Sequence, residues 1–309
     1  MPAGTTSRVP AGIERVIGDR WTEVADLTHP WATTRTVLVA TKGGPAGAGR
    51  FVVQWGSDPA AMARRMRLGI RLAVVAPDVP IPRIVGGDPS ARVRFLVSTF
   101  VEGRGGQAFL DTDDEAAMLG RLAGEVSRAV AAVDPAGFRL SRRWADPGRL
   151  RDAVDRWAER VRGDLTRPVA ARLLDLTGHL PEVIGDTLPV FAHGDLAPVN
   201  VVIAAGRVSG LLDLERARLA HPLFDAAWWC AMIGIHHPDR VDSAVGAFLE
   251  SAGIPHDAAT LGRLRCLAAC QALEVTAGLP ASAHAPRRTW SARLAGILDG
   301  SVRIGPRDC

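Results

Sequence analysis

Three oxygen-bearing side chains gather in one stretch, Phe191–Trp229, which reads FAHGDLAPVNVVIAAGRVSGLLDLERARLAHPLFDAAWW. Val199–Ala204 and Arg207–Leu212 are apolar, β-branched runs on either side of Ala205-Gly206. Glycine in a two-residue turn favours a β-hairpin. In that hairpin, position 200 lies opposite a position close to 213. Asn200 and Asp213 therefore meet at its open end, with Asp195 just before it on the loop HGDLAP. Oxygen donors of this kind suit magnesium, a hard cation that takes few protein groups and leaves its other positions to water and phosphate. Asp195 is then left to face an acceptor hydroxyl. Phosphoryl transfer asks for little more than a positioned nucleophile, an acceptor for its proton and neutralised charge. In a plainer role the same residues would be a polar turn at a hairpin, because Asp and Asn are frequent in turns.

The segment resembles the aminoglycoside phosphotransferase family and, more distantly, the protein kinases. The resemblance is carried by His193-Gly194-Asp195-Leu196, by Asn200 five residues after the aspartate, by Leu212-Asp213 after the hairpin, and by Asp225 in FDAAWW. It implies an O-phosphotransferase that uses ATP or GTP as donor and Mg2+ as cofactor. It also implies Asp195 as the base, Asn200 and Asp213 as magnesium holders, and Asp225 as a buried brace of the catalytic loop. Glu215 and Arg216 fall where such kinases pass the acceptor. His193 reads either as a proton relay or as a loop histidine held by backbone hydrogen bonds, and the structural role is expected. His236 and His237 are adjacent on a helix end and share no face, so no metal is expected there. Trp228 and Trp229 open a helix and are expected in the core.

These residues need elements to hold them. TTRTVLVA at 33–40 and FVVQW at 51–55 flank a Gly-rich turn and read as a hairpin. A helix follows from Pro59 to Val75, with Asp58 as N-cap. On it Met62, Met66, Gly69, Ile70 and Ala73 form the expected buried face. VRFLVSTF at 93–100 is a further strand and runs into VEGRGG. Beyond it the chain turns helical, at 113–133, 149–163, 167–179, 223–235, 238–252, 256–277 and 287–299, with one β insertion at 190–213. The fold expected is α+β and protein-kinase-like. Residues 1–103 form a small nucleotide-binding lobe and residues 104–309 a larger, mainly helical lobe for catalysis and acceptor binding, with the nucleotide between them.

The first lobe departs from the family pattern. Its strand FVVQWG should carry a phosphate-binding lysine and has Gln54 instead; the next helix offers no glutamate to pair with one, and WATTRT lacks the glycines of a phosphate-covering loop. Lys42 is the chain's one lysine and lies in a loop. Of the arginines after Gln54, Arg64, Arg67 and Arg71 point away from the apolar face, whereas Arg65 sits at its border. Arg65 is therefore the expected replacement cation, helped by Gln54, with Lys42 and Arg50 next in line. Backbone at Thr99, Phe100 and Val101 resembles the hinge that meets a purine.

Composition sets the class. Across 309 residues, 47% hydrophobic and 23% charged residues describe an ordinary globular chain, and a net charge of +4 with no Lys/Arg run gives no nucleic-acid stripe. No apolar run is long enough for a membrane span, and no signal peptide is read, so a cytoplasmic protein is expected. Cys266 and Cys270 are one helical turn apart, as two buried thiols would be. Three functions fit: a resistance kinase acting on a natural-product antibiotic, a metabolic kinase for a sugar, amino alcohol or amino acid, and a catalytically inactive binding protein. Beyond residue 230 arginines are at least as numerous as acids, which argues against a polycationic acceptor.

Overall fold

The computed structural model describes residues 9–28, 34–88, 94–185 and 187–307. It falls into two compact units, Met1–Glu102 and Gly103–Cys309. The first contains α1 (Glu14–Ile17), β1 (Trp21–Asp26), β2 (Thr34–Thr41), β3 (Gly49–Gly56), α2 (Pro59–Val75), β4 (Ile84–Gly87) and β5 (Phe95–Thr99). The strands make one antiparallel sheet in the order β1-β2-β3-β5-β4. Alternation along β2, β3 and β5 sends Val37, Val39, Phe51, Val53, Phe95 and Val97 to one face, against Ile13 and Ile17. Leu96 points the other way, onto Met62 and Ala63 of α2.

The expected hairpin is present, with Thr34 opposite Gly56 and Thr41 opposite Gly49. The start of α2 is also as expected: the Asp58 carboxylate accepts from the Ala60 and Ala61 amides at 2.9 and 3.0 Å, and Pro59 is the first helical residue. The buried face of α2 differs from expectation. Met62, Ala63, Leu68, Gly69 and Leu72 are buried, but Ile70 and Ala73 are exposed. Gly69 lies against β4, where an added Cβ would stand 2.9 Å from the Ile84 side chain. That close approach swings the buried arc towards Leu68 and Leu72 and rolls Ile70 outward. The sequence reading did not find α1, β1 or β4. β4 follows a run of prolines, which reads locally as a break. Trp31, Ala32 and Thr33 of WATTRT, and the expected strand start at Val93, lie outside the described residues.

The second unit contains β6 (Arg104–Gly105), α3 (Asp113–Ala131), β7 (Ser141–Trp144), α4 (Pro147–Val161), α5 (Arg167–Gly178), α6 (Leu180–Ile184), β8 (Val190–Ala192), β9 (Val201–Ala204), β10 (Arg207–Leu211), β11 (Arg218–Ala220), α7 (Phe224–His236), α8 (Gly246–Ala252), α9 (Ala258–Gly278) and α10 (His284–Asp299). Two three-stranded sheets, β10-β9-β6 and β7-β11-β8, are set among the helices. Asp225 through Gly234 of α7 are buried without interruption, and Trp144, Phe191, Phe224, Trp229 and Phe248 fill the core around them. Gly120 and Gly124 let α3 close on 244–251: an added Cβ would stand 2.1 Å from the Ala244 carbonyl oxygen and 2.0 Å from Ser251 Oγ. The helix expected over 238–252 is interrupted by a 3-10 turn at Pro238–Arg240 and a π turn at Val241–Val245 before α8 begins. Cys230, Cys266 and Cys270 are buried free thiols, and Cys309 lies outside the described residues. No helix among the described residues is long and apolar enough to cross a membrane.

Candidate active site

Asp195 sits on the loop between β8 and a 3-10 turn at Pro198–Asn200. Asp225, second residue of α7, holds the start of that loop. Its carboxylate accepts from the His193 amide at 2.7 Å and the Gly194 amide at 2.9 Å. Burial pushes the Asp225 carboxyl above its ordinary pKa, while the two amides and the Arg218 charge pull it back. Each carboxylate oxygen thus has one amide partner, as a buried carboxylate requires. Gly194 has φ +89°, and an added Cβ would lie 2.0 Å from the Arg216 carbonyl oxygen, so only glycine fits. The tight turn thereby seats the Asp195 loop on the turn Leu214–Arg216.

His193 is fully buried and both its ring nitrogens are engaged. Nδ1 accepts from the Asp195 amide at 3.1 Å, so the proton lies on Nε2, which donates to the Leu212 carbonyl at 2.8 Å. The histidine thus joins the Asp195 loop to the residue before Asp213. With both nitrogens committed to backbone, its geometry is that of a brace.

The hairpin of β9 and β10 turns on Ala205 and Gly206, both at positive φ (50° and 72°). A bulge between Val208 and Gly210 shifts the pairing, and the Leu212 amide donates to the Asn200 carbonyl at 2.8 Å. Position 200 therefore faces 212, one residue short of Asp213. Asp213 itself takes a left-handed conformation (φ 62°, ψ 50°), which short polar side chains tolerate, and its side chain is on the exposed surface. The Asn200 side-chain nitrogen donates to the Asp195 carbonyl at 2.8 Å. That bond fixes the carboxamide through its nitrogen, and among the described residues its oxygen accepts no hydrogen bond. An amide oxygen and a carboxylate at adjoining backbone positions form a hard-oxygen set that fits magnesium. With two protein oxygens, phosphate and water would complete the shell of such an ion. Glu215 is half-buried and Arg216 exposed on the adjoining turn.

One contact was not foreseen. Trp228 is buried, as expected of a core residue, but its Nε1–H donates to Asp195 Oδ1 at 2.7 Å. Among the described residues the other Asp195 oxygen has no hydrogen-bond partner and remains open to accept a proton. Asp225 and Trp228 are three apart on α7 and so share a face. The first holds the loop backbone and the second its carboxylate. The i, i+3 spacing of Asp and Trp was visible in FDAAWW, although nothing local said what that face meets.

In the first unit Gln54 lies on β3 opposite Thr36, and its amide nitrogen reaches Thr36 Oγ1 at 3.4 Å. Arg65 is half-buried at the border of the apolar face, whereas Arg64, Arg67 and Arg71 are exposed. Lys42 is exposed. Arg50 pairs with Glu102 and stacks over the Phe100 ring at 4.6 Å. The Thr99 amide donates to the Arg83 carbonyl and the Phe100 amide to the Arg50 carbonyl, at 2.9 and 3.1 Å. Of the three hinge amides, Val101's alone has no such bond among the described residues.

Residues 27–265 match the model of the phosphotransferase enzyme family. No curated protein matches the chain by sequence. Among solved structures, a thermostable mutant of the aminoglycoside phosphotransferase APH(4)-Ia superposes with a TM-score of 0.64 at 16% identity, over 92% of this chain and 96% of that one. The macrolide 2'-phosphotransferase MphH from Brachybacterium faecium gives 0.60 at 16% identity, over 91% and 92%. A ternary complex of the APH(4)-Ia mutant with ADP and hygromycin B gives 0.61 at 18% identity, over 95% and 97%. At such identities the likeness speaks for the fold, which is the kinase-like fold of these enzymes. With the family model spanning most of its length, the chain belongs to the phosphotransferase enzyme family.

Proposed function

We propose that this phosphotransferase moves the terminal phosphate of ATP or GTP onto a hydroxyl of a small molecule, a natural-product antibiotic. The observation that carries the reading is the Asp195 carboxylate, pinned through one oxygen by Trp228 and open at the other. The acceptor hydroxyl gives its proton to that open oxygen as its own oxygen attacks phosphorus, and the nucleoside diphosphate leaves. His193 and Asp225 keep the loop fixed while this happens. Asn200 and Asp213 would hold Mg2+, which when bound neutralises charge on the phosphate oxygens. On the nucleotide side, Arg65 with Gln54 offsets phosphate charge, and the Val101 amide, flanked by Thr99 and Phe100, meets the base. Glu215 and Arg216 border the acceptor. Support for an antibiotic acceptor is the likeness to enzymes solved with ADP and hygromycin B or with GDP and kanamycin. A metabolic kinase would share every residue named.

Asp195→Asn keeps the shape and the Trp228 bond but cannot take the proton. Turnover should fall by about 10²–10⁴ with nucleotide affinity unchanged. Near-normal turnover in this variant would remove Asp195 from the role. Because Gln54 stands where the family has a cation, a binding protein without catalysis is the competing reading. It predicts nucleotide binding with no consumption under any acceptor.

A further inference from the structure

The acceptor side of Asp195 has a chemistry of its own. The Trp228 indole, whose N–H holds Asp195, is stacked on Trp290 of α10, with centroids 5.8 Å apart and planes within 9° of parallel. The Arg293 guanidinium lies over the Trp290 ring, 4.6 Å from its centre. Carboxylate, indole, indole and guanidinium thus form one continuous ladder within the second unit. Trp290 and Arg293 are half-buried, so the ladder runs from the buried Trp228 outward.

The ladder ends in an uncompensated cation. Among the described residues Arg293 has no carboxylate partner, and burial draws its pKa below the ordinary value with no acid opposing it. Its charge reaches His236, whose pKa is lowered by burial, then by Arg293, then by His237. His236 is thereby held towards its neutral form, and on the far side of His237 the Asp111 charge opposes that of Arg240. Other acids of the second unit are bound elsewhere. Asp242 pairs with Arg303 and Arg307, Glu274 with Arg143 and Arg218, and Asp257 and Asp299 cap backbone amides. A guanidinium held over an indole by its cation–π contact still has N–H groups to offer a planar anion such as a carboxylate.

We propose that Trp228, Trp290 and Arg293 are the acceptor wall beside Asp195, and that this wall selects a hydroxylated ring compound bearing an anionic group over a polycationic amine. The proposal rests on Asp195 being the base. A polycation long enough to pass Asp195 would have to bring its charge up to the Arg293 guanidinium. An anion would complete the Arg293 fork while its ring lies against the half-buried Trp290, which Trp228 backs.

The test uses the full chain with ATP, GTP and magnesium and follows nucleotide consumption. The acceptors are matched pairs: D-glucuronate with D-glucosamine, and 4-(hydroxymethyl)benzoate with 4-(hydroxymethyl)benzylamine. Hygromycin B and kanamycin serve as polycations. The anionic member of a pair should have the higher kcat/KM by about tenfold, the effect of one favourable charge contact. Arg293→Gln should erase that preference and Arg293→Glu reverse it, while Arg288→Ala, an exposed change on the same helix, should retain it. Two Arg293 variants guard against one that fails to fold. The proposal is overturned if amines are preferred, if hygromycin B or kanamycin is phosphorylated, if no anionic member is used, or if the preference survives Arg293→Glu. If the wild type consumes no nucleotide with any acceptor or with water, matching Asp195→Asn, the kinase reading itself fails and the acceptor wall with it.

Discussion

At the scale of single residues, the site depends on which atoms are held and which are left open. Trp228 occupies one oxygen of Asp195, which in the proposed role of Asp195 as base leaves the other for the proton. Trp228→Phe keeps a ring against Trp290 but removes the N–H. A carboxylate free to rotate should lower kcat by roughly 10–100-fold with the KM for nucleotide nearly unchanged, since misplacement of about 1 Å can have that effect. Steady-state kinetics with the split between kcat and KM checks it; a rise in KM alone would make Trp228 a packing residue. Gly194 is a second single-residue constraint. Gly194→Ala would place a methyl 2.0 Å from the Arg216 carbonyl oxygen at φ +89°, so the loop must shift. A loss of stability on the order of 3 kcal/mol is expected, read by denaturant unfolding. Asp195, Asn200 and Asp213 were all legible in the sequence, because a loop and a two-residue turn fix their spacing locally. Trp228 was not, because its partner lies 33 residues away and nothing local specifies that contact.

At the scale of elements, the β9–β10 hairpin and α7 do the positioning. The bulge near Ser209 lengthens one arm and sets Leu212, with both its amide and its carbonyl bonded, between Asn200 and His193. Asp213→Ala should abolish turnover and weaken magnesium-dependent nucleotide binding. Calorimetry with and without magnesium tests this, and equal nucleotide affinity of the wild type in both would remove the metal role. On α2 the four arginines divide by exposure, with Arg65 alone half-buried. Arg65→Ala should reduce turnover towards 10²-fold, the scale of one lost donor at a transferring phosphate. Arg64→Ala, Arg67→Ala and Arg71→Ala should stay near wild type, and identical behaviour of all four in a turnover assay would send the search to Lys42. The ends of α2 could be read from Asp58-Pro59 and the prolines after it. Its buried arc could not, because the approach of Gly69 to Ile84 depends on where β4 lies.

At the scale of the whole molecule, stability should depend on pH through His221. This histidine is buried ahead of α7, and burial, with the Arg263 charge, pushes its pKa down to about 4. In the unfolded chain it takes a proton near 6.5, so the unfolded state binds more protons between those values. Stability present above pH 6.5 is therefore lost as pH falls towards 4, by on the order of 3 kcal/mol. Denaturant midpoints across this range should show the loss. His221→Asn, which can still accept the Leu223 amide, should flatten it. The sequence alone determined the division into a strand-rich first part and a helical second part, and the spacing of the Asp195, Asn200 and Asp213 loops. Those features follow from hydrophobic period, turn residues and caps, all of which act over a few neighbouring residues. Tertiary structure decided the strands β1, β4, β7 and β11, the bulge in the hairpin, the Trp228 bond and the basic end of the indole ladder. Each of these depends on pairing or packing between segments far apart in the chain, and the local pattern of residues carries no information about which distant partner will arrive.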